Sequence, residues 1–234
     1  MRQAVIFDLD GVITDTARYH FLAWRKMAQE EGMEFDEHFN ERLKGIDRMG
    51  SLELILVHNQ RQSQYSQSAK LDLADRKNEY YKTLIEKMTS ADLLPGAAET
   101  LRALRDLDIK VGLASASRNA QTILNKLAIS HLFDYVVDSG TIKFGKPDPE
   151  IFLAAADRLK IRPSDCVGVE DAIAGVQAIK AAGMFAVGIG EPTVLTAADL
   201  VVPGLDEFPL QQALASAPMT VPAHKSTEAV PLPG

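Results

Sequence analysis

Two carboxylates, Asp8 and Asp10, directly follow the apolar run at residues 4–7, and Gly11 comes next. A short continuous apolar run bounded by a turn residue is typical of a buried parallel strand. Ligands of open parallel sheets bind beyond the carboxyl ends of the strands. Because two carboxylates this close repel each other, they favour a hard cation such as Mg2+. A strand that simply ends in a polar turn would give the same pattern.

Four more polar residues lie at comparable places in the chain. Ser115 follows a predicted strand at 109–114, Glu170 and Asp171 follow another at 166–169, and Lys146 lies in a loop before a predicted helix. The ends of parallel strands converge on one edge of a sheet. With the first two carboxylates, these residues supply a nucleophile, a second acid, a hydroxyl, a cation and further carboxylates. Phosphoryl transfer to an aspartate needs that combination.

Each of these residues also has a simpler interpretation when it is taken alone. Ser115 could cap a helix N-terminus, and Lys146 could be a solvated surface cation. Glu170 and Asp171 could serve only to favour a helix N-terminus through its dipole. The ordered occurrence of all of them, mostly at strand ends, favours the chemical interpretation.

The elements that would position these groups alternate along most of the chain. Apolar runs predict strands at 4–7, 109–114, 135–137, 166–169 and 185–189, and helical patterns at 97–107, 120–127, 149–159 and 172–182 separate the later ones. Alternating strands and helices predict an α/β fold, a Rossmann-like doubly wound parallel sheet.

Residues 15–91 have a different character, with long polar runs and helical spacing. His20, Trp24 and Met27 recur at i, i+4 and i+7, as one face of a helix requires. We therefore expect an inserted α-helical cap domain at 15–91 and a catalytic core made of 1–14 and 92–213. The last stretch, 214–234, holds four of the eleven prolines and no apolar period, which predicts a disordered tail.

Composition narrows the classes of partner. The chain has 234 residues, is 46% hydrophobic and carries a net charge of −7, which argues against a nucleic-acid or anionic-membrane partner. Cys166 is the only cysteine, so an intramolecular disulfide is excluded. The sequence contains neither a run of about 18 apolar residues nor a signal-peptide pattern. We expect a cytoplasmic monomer that acts on a small molecule.

The order of the motifs resembles that of the haloacid dehalogenase superfamily of aspartyl phosphotransferases, up to about residue 213. The resemblance implies that Asp8 is the nucleophile that becomes an aspartyl phosphate and that Asp10 is the general acid and base. It implies that Ser115 and Lys146 balance the charge of the transferring phosphoryl group. It also implies a Mg2+ site, whose ligands would be the Asp8 carboxylate, the Asp10 backbone carbonyl, Glu170 and Asp171.

Several strings resemble the β-phosphoglucomutase family in particular: residues 16–21 with Trp24, residues 43–46 with Arg48, Ser51 and Leu52, residues 76–78, and residues 114–119. This resemblance implies a sugar-phosphate substrate. Arg48 would bind the phosphate distant from the reaction, and Lys77 would contact the sugar. His20 would touch Lys77 or the Asp10 region, and Thr16 would lie in the hinge. The other expected substrate-binding residues are Trp24, Gly45, Ser51, Ala116, Ser117, Arg118 and Asn119.

The chain departs from the family pattern at Asp47, where serine is usual, and at Phe144-Gly145 before the lysine. Asp47 is expected to weaken the distal phosphate contact. A sugar-phosphate phosphatase of the same superfamily would share every core residue, so it remains the main alternative to a mutase. A non-catalytic sensor is disfavoured because the catalytic side chains are present. A dinucleotide-binding domain is disfavoured because no GxGxxG follows the first strand.

Overall fold

The computed structural model describes residues 1–43 and 45–215. Its centre is a six-stranded parallel sheet with the strand order β3-β2-β1-β4-β5-β6. The strands are β1 Ala4–Phe7, β2 Lys110–Leu113, β3 Tyr135–Val136, β4 Cys166–Glu170, β5 Phe185–Ile189 and β6 Leu200–Val202. The predicted Rossmann-like doubly wound sheet is confirmed. The edge strand β6 was not predicted, because three half-buried residues give too short a pattern.

The register of the central strands explains why polar residues gather at one edge. Phe7 of β1 pairs with Leu113 of β2 on one side and with Val169 of β4 on the other. The chain therefore leaves all three strands at the same height. Asp8 and Glu170 are thereby brought next to each other from distant parts of the sequence.

Helices lie inside the insertion that follows β1. They are α1 Ala17–Glu30, α2 Glu37–Asn40, α3 Arg48–His58 and α4 Gln67–Ile85. Trp24, Met27, Leu52 and Ile55 belong to one apolar cluster formed within this segment. A helical segment with its own apolar centre agrees with the expected cap, while the exact domain bounds, 15–91 against 1–14 and 92–213, remain a prediction.

The remaining helices cover the two faces of the sheet. They are α5 Ala97–Asp106, α6 Ala120–Lys126, α7 Glu150–Leu159, α8 Ile173–Ala181 and α9 Leu210–Leu214. Alternate residues of β1 enter different apolar layers: Val5 and Phe7 join the layer of α5 and α6, whereas Ala4 and Ile6 join that of α7 and α8. Burial on both faces is the reason that the strands read as unbroken apolar runs.

The two connections between the core and the helical segment run side by side. Thr14 forms a β-bridge with Leu93, and its hydroxyl donates a 2.6 Å hydrogen bond to the Asp92 carbonyl. The two connections are therefore bonded directly to each other.

The first residue of the expected tail belongs to a helix. Leu214 ends α9 and is buried, and its carbonyl accepts a 2.8 Å hydrogen bond from the Arg2 amide. The rest of the expected disordered tail, from 216 to 234, lies outside the described residues. Among the residues that are described, no helix is long and apolar enough to cross a membrane.

Candidate active site

Lys146 and two carboxylates form a buried charged cluster at the end of β1 and β4. The Lys146 ammonium donates to Asp8 Oδ1 and to Glu170 Oε2, both at 2.7 Å. Burial alone would lower the pKa of Lys146, but the charges of the two carboxylates outweigh it and raise that pKa. Lys146 is therefore a fixed cation and not the solvated surface residue that the loop position alone allowed.

The two carboxylates of this cluster, together with Asp171, could hold a metal ion. Oxygen atoms of Asp8, Glu170 and Asp171 all lie within 4.8 Å of one another. Burial, followed by the charge of Asp8, raises the pKa of Glu170 well above its usual value. Carboxylate oxygens are the ligands that Mg2+ prefers, so the donor set fits a hard divalent cation.

The loop that follows β1 passes close to this cluster and requires a glycine at position 11. Its φ is +74°, in the left-handed region, and a Cβ there would lie 2.0 Å from Asp171 Oδ2. Only glycine satisfies both conditions. The loop after β1 can therefore bring Asp10 over the cluster while leaving space for Asp171.

The surroundings of Asp10 favour the protonated form of its carboxyl group. Burial, followed by the negative charges of Asp8 and Asp171, raises the pKa of Asp10 well above its usual value. Its Oδ1 is buried without a hydrogen-bond partner among the described residues, and its Oδ2 lies 4.0 Å from His20 Nε2. A carboxyl group that keeps its proton near neutrality can act as a general acid.

Ser115 is buried at the end of β2, where its hydroxyl accepts a 3.1 Å hydrogen bond from the Ser117 amide. It therefore shapes a turn and does not cap α6, whose N-terminal flank is Asn119. The Asn119 side-chain amide donates at 2.9 Å to Asn78 Oδ1 of α4. The turn after β2 is thus joined directly to the helical segment above it.

His20 and Lys77 form the facing cluster on the helical segment. Lys77 Nζ lies 2.7 Å from His20 Nδ1 and 4.8 Å from the centre of the Trp24 ring. Burial and then the positive charge of Arg48 lower the pKa of Lys77 to about 7. Burial and the charges of Lys77 and Arg48 lower the pKa of His20. The packing of His20 and Trp24 thus coexists with a polar contact to Lys77.

Arg48 begins α3, and its guanidinium lies 3.1 Å from Asp75 Oδ1, with 16% of its side chain exposed. Burial and the nearby charge of Arg118 lower its pKa. The Asp47 carboxylate does not pair with Arg48. Its Oδ1 instead accepts hydrogen bonds from the Met49 and Gly50 amides at 2.9 and 3.1 Å. Asp47 is the N-cap of α3, so the expected weakening of Arg48 by its neighbour has no contact to support it.

A cavity of about 100 Å³ lies between the two clusters. The expected site residues that line it are Asp8, Asp10, His20, Trp24, Gly45, Arg48, Ser51, Lys77, Ala116, Ser117, Arg118, Asn119 and Asp171. The expected site residues outside this lining are Thr16, Ser115, Lys146 and Glu170. Ser115, Lys146 and Glu170 are buried in the core beside lining residues. Thr16 is buried directly before α1.

Sequence reasoning did not select several residues of the lining: Gly11, Ala17, Asn40, Leu43, Ile46 and Asn78. Most are apolar or small and give no chemical signal. The strings at 16–21, 43–46 and 76–78 carried the family resemblance, so they could have pointed to Ala17, Leu43, Ile46 and Asn78.

Comparison with known proteins agrees with this geometry. The model of the haloacid dehalogenase-like hydrolase family matches residues 3–183. The chain belongs to this family. It is 52% identical over 209 residues to the β-phosphoglucomutase of Bacillus subtilis, covering 89% of this chain and 92% of the relative. It is 33% identical over 189 residues to a phosphorylated carbohydrates phosphatase of Thermotoga maritima, with 78% and 82% covered.

A solved structure extends the likeness to the fold. The crystal structure of β-phosphoglucomutase from Clostridium difficile superposes with a TM-score of 0.89 at 48% identity, covering 91% of this chain and 95% of that one. The family and the fold that the sequence predicted are therefore both confirmed.

Proposed function

We propose that this protein is a β-phosphoglucomutase. It interconverts β-D-glucose 1-phosphate and glucose 6-phosphate through β-glucose 1,6-bisphosphate and an aspartyl phosphate on Asp8. The observation that carries the proposal is the 52% identity to the Bacillus subtilis mutase over nearly the whole chain, against 33% to the Thermotoga maritima phosphatase. The phosphatase activity remains the alternative, because it needs the same core residues.

The distribution of charge around the cavity supports a substrate with two phosphate positions. One end holds Asp8 above Lys146, and the other presents Arg48 and Arg118 with the polar turn at 117–119. Arginine can bind a phosphate through two parallel hydrogen bonds. One phosphate would react at Asp8 while Arg48 and the turn hold the other.

Asp8 and Asp10 would divide the chemistry of each transfer. An Asp8 carboxylate oxygen attacks phosphorus, the bond from phosphorus to the sugar oxygen breaks, and Asp10 gives that oxygen its proton. In the reverse direction a sugar hydroxyl attacks the aspartyl phosphate while Asp10 takes the hydroxyl proton, which restores the Asp8 carboxylate. The raised pKa of Asp10 supports this role, since the group must carry a proton near neutral pH.

We propose Mg2+ as the cofactor, held by Asp8, Glu170, Asp171 and the Asp10 backbone carbonyl. The ion would compensate negative charge on the transferring phosphoryl group. Lys146 contributes a permanent positive charge beside Asp8, and Ser115 shapes the turn that faces the phosphate. His20 and Lys77 would orient Asp10 and the sugar. We further propose that the enzyme acts in the cytoplasm as a monomer.

The test is to supply β-glucose 1-phosphate with Mg2+ and a trace of the bisphosphate, and to follow glucose 6-phosphate and free phosphate together. We expect glucose 6-phosphate to account for nearly all of the product, because closure of the helical segment over bound substrate would protect the aspartyl phosphate from water. Predominant release of free phosphate would instead support the phosphatase. Omission of the bisphosphate should introduce a lag, which a simple phosphatase would not show.

A further inference from the structure

Asp47 and Gly145, which both lie where the chain departs from the family pattern at Asp47 and Phe144-Gly145, meet between the helical segment and the core. A methyl group added at Gly145 would lie 2.7 Å from Asp47 Oδ2, closer than carbon and oxygen can approach without a clash. The backbone of Gly145 is not in the left-handed region. An added side chain at this position would therefore be limited by the space beside Asp47 and not by the backbone conformation.

The Asp47 carboxylate cannot easily move away from this contact. Its Oδ1 is held by the Met49 and Gly50 amides at the start of α3. A second close approach lies nearby, since a Cβ at Gly45 would be 3.2 Å from the Ala172 side chain. The loop before α3 thus rests on the core at two points.

The position of this contact links the two ends of the cavity. Asp47 is followed directly by Arg48, and Gly145 is followed directly by Lys146, which contacts Asp8. A displacement of Asp47 or Gly145 would therefore shift the neighbouring residue, Arg48 or Lys146. Errors of about 1 Å in such placement can cost a hundredfold in rate.

We propose that the contact between Asp47 and Gly145 is a spacer that sets how closely the helical segment approaches the core, and with it the separation of the two phosphate-binding ends. Both are positioning residues and neither touches the reacting atoms. The inference rests on the proposed function, because a mutase must hold its bisphosphate in two orientations at one fixed spacing. A spacer of fixed thickness meets that requirement for both orientations.

The substitution Gly145→Ala tests the spacer. The added methyl group would push against Asp47 and hold the two parts apart, so we expect mutase kcat/KM to fall by ten to a hundredfold. Water would enter the widened cavity, so free phosphate released per glucose 6-phosphate should rise.

Asp47→Ser provides the rescue. It removes the offending oxygen, and the Cγ and Cβ of Asp47 lie 3.6 and 3.7 Å from the added methyl position, an ordinary contact distance. Serine also keeps the helix cap. The double variant should therefore recover most of the mutase activity of Asp47→Ser alone. Damage that Gly145→Ala caused directly at Lys146 would not be rescued in this way.

Gly140→Ala is the matched control. A Cβ there would lie 3.1 Å from Asp138 Oδ1, but that contact stays within the core, so mutase activity should stay within about twofold. The spacer is overturned if Gly145→Ala keeps wild-type mutase activity, or if the double variant is as slow as Gly145→Ala. A wild-type protein that releases only free phosphate would instead overturn the proposed function, so the two failures are distinguishable.

Discussion

Lys146 and Lys77 are both almost completely buried, with 4% and 2% of each residue exposed, yet their surroundings shift their pKa values in opposite directions. Lys146 lies between two carboxylates, which raise its pKa. Lys77 lies beside a histidine and two aromatic rings, and its pKa falls to about 7. The core therefore holds a cation whose anions are built in. The helical segment holds a lysine at which burial and the charge of Arg48 outweigh the charge of Asp10, so its positive charge is not fixed as that of Lys146 is.

Removal of the nucleophile should have the largest effect on the core side of this comparison. We expect Asp8→Asn to lower mutase turnover by at least ten-thousandfold, because the amide cannot form the aspartyl phosphate. Rapid quenching with labelled bisphosphate should find no labelled protein. The exposed Asp106→Asn on α5 is the control and should behave as wild type. Label bound covalently to Asp8→Asn would place the nucleophile elsewhere.

Lys146→Met tests whether the ion pairs of Lys146 with Asp8 and Glu170 stabilise the core. Loss of the ammonium leaves Asp8 and Glu170 buried without compensation, so we expect the free energy of unfolding to fall by about 3 kcal/mol without metal. Millimolar Mg2+ should restore more stability to this variant than it adds to wild type. Urea unfolding with and without Mg2+ measures both.

The exposed Lys143→Met is the matched control for this lysine and should change stability by less than about 0.5 kcal/mol. If Lys146→Met were as stable as Lys143→Met in the absence of metal, the claimed stabilisation by these ion pairs would be wrong.

Arg48→Ala addresses the opposite end of the cavity. We expect mutase kcat/KM to fall by about thirty to a hundredfold, the value of a lost charged hydrogen-bond pair to phosphate. Hydrolysis of a small phosphoester without a second phosphate should change much less. Arg102→Ala on α5 removes an exposed arginine and serves as control. Equal losses on both substrates would show that Arg48 does not bind a distal phosphate.

Lys77 should make stability depend on pH. Its pKa is about 7 in the folded protein and 10.5 in an ordinary lysine, so the unfolded chain holds more protons between those limits. Stability should therefore rise with pH in this window, by at most about 1.4 kcal/mol per pH unit. Below pH 7 the full cost of the buried charge is present.

Urea unfolding of wild type and Lys77→Met between pH 6.5 and 9 measures this contribution, with the exposed Lys82→Met of the same helix as control. The stability of wild type relative to Lys77→Met should increase across the range, whereas Lys82→Met should follow wild type. A constant difference between wild type and Lys77→Met would mean that Lys77 does not titrate there.

Much of the core site could be predicted because its residues are tied to strand ends. Asp8 and Glu170 follow apolar runs, and the parallel register leaves them at one height. The sequence suggested that Asp47 weakens the phosphate contact of its neighbour Arg48. That expectation has no contact to support it, because adjacency in sequence does not fix the direction of a side chain. In the structure the carboxylate caps α3, and Asp75 takes the arginine.

Strand periodicity and residue type by themselves determined the sheet, the helical insertion and the acidic groups at the rim, since buried strands must be apolar and their ends polar. Tertiary structure selected Lys77 for His20 from the two partners that the family resemblance implied, and it alone decided the link from Asn119 to Asn78 and the meeting of Asp47 with Gly145. These partners are 57, 41 and 98 residues apart, and no local pattern encodes which helix face meets which loop when the insertion folds back over the core.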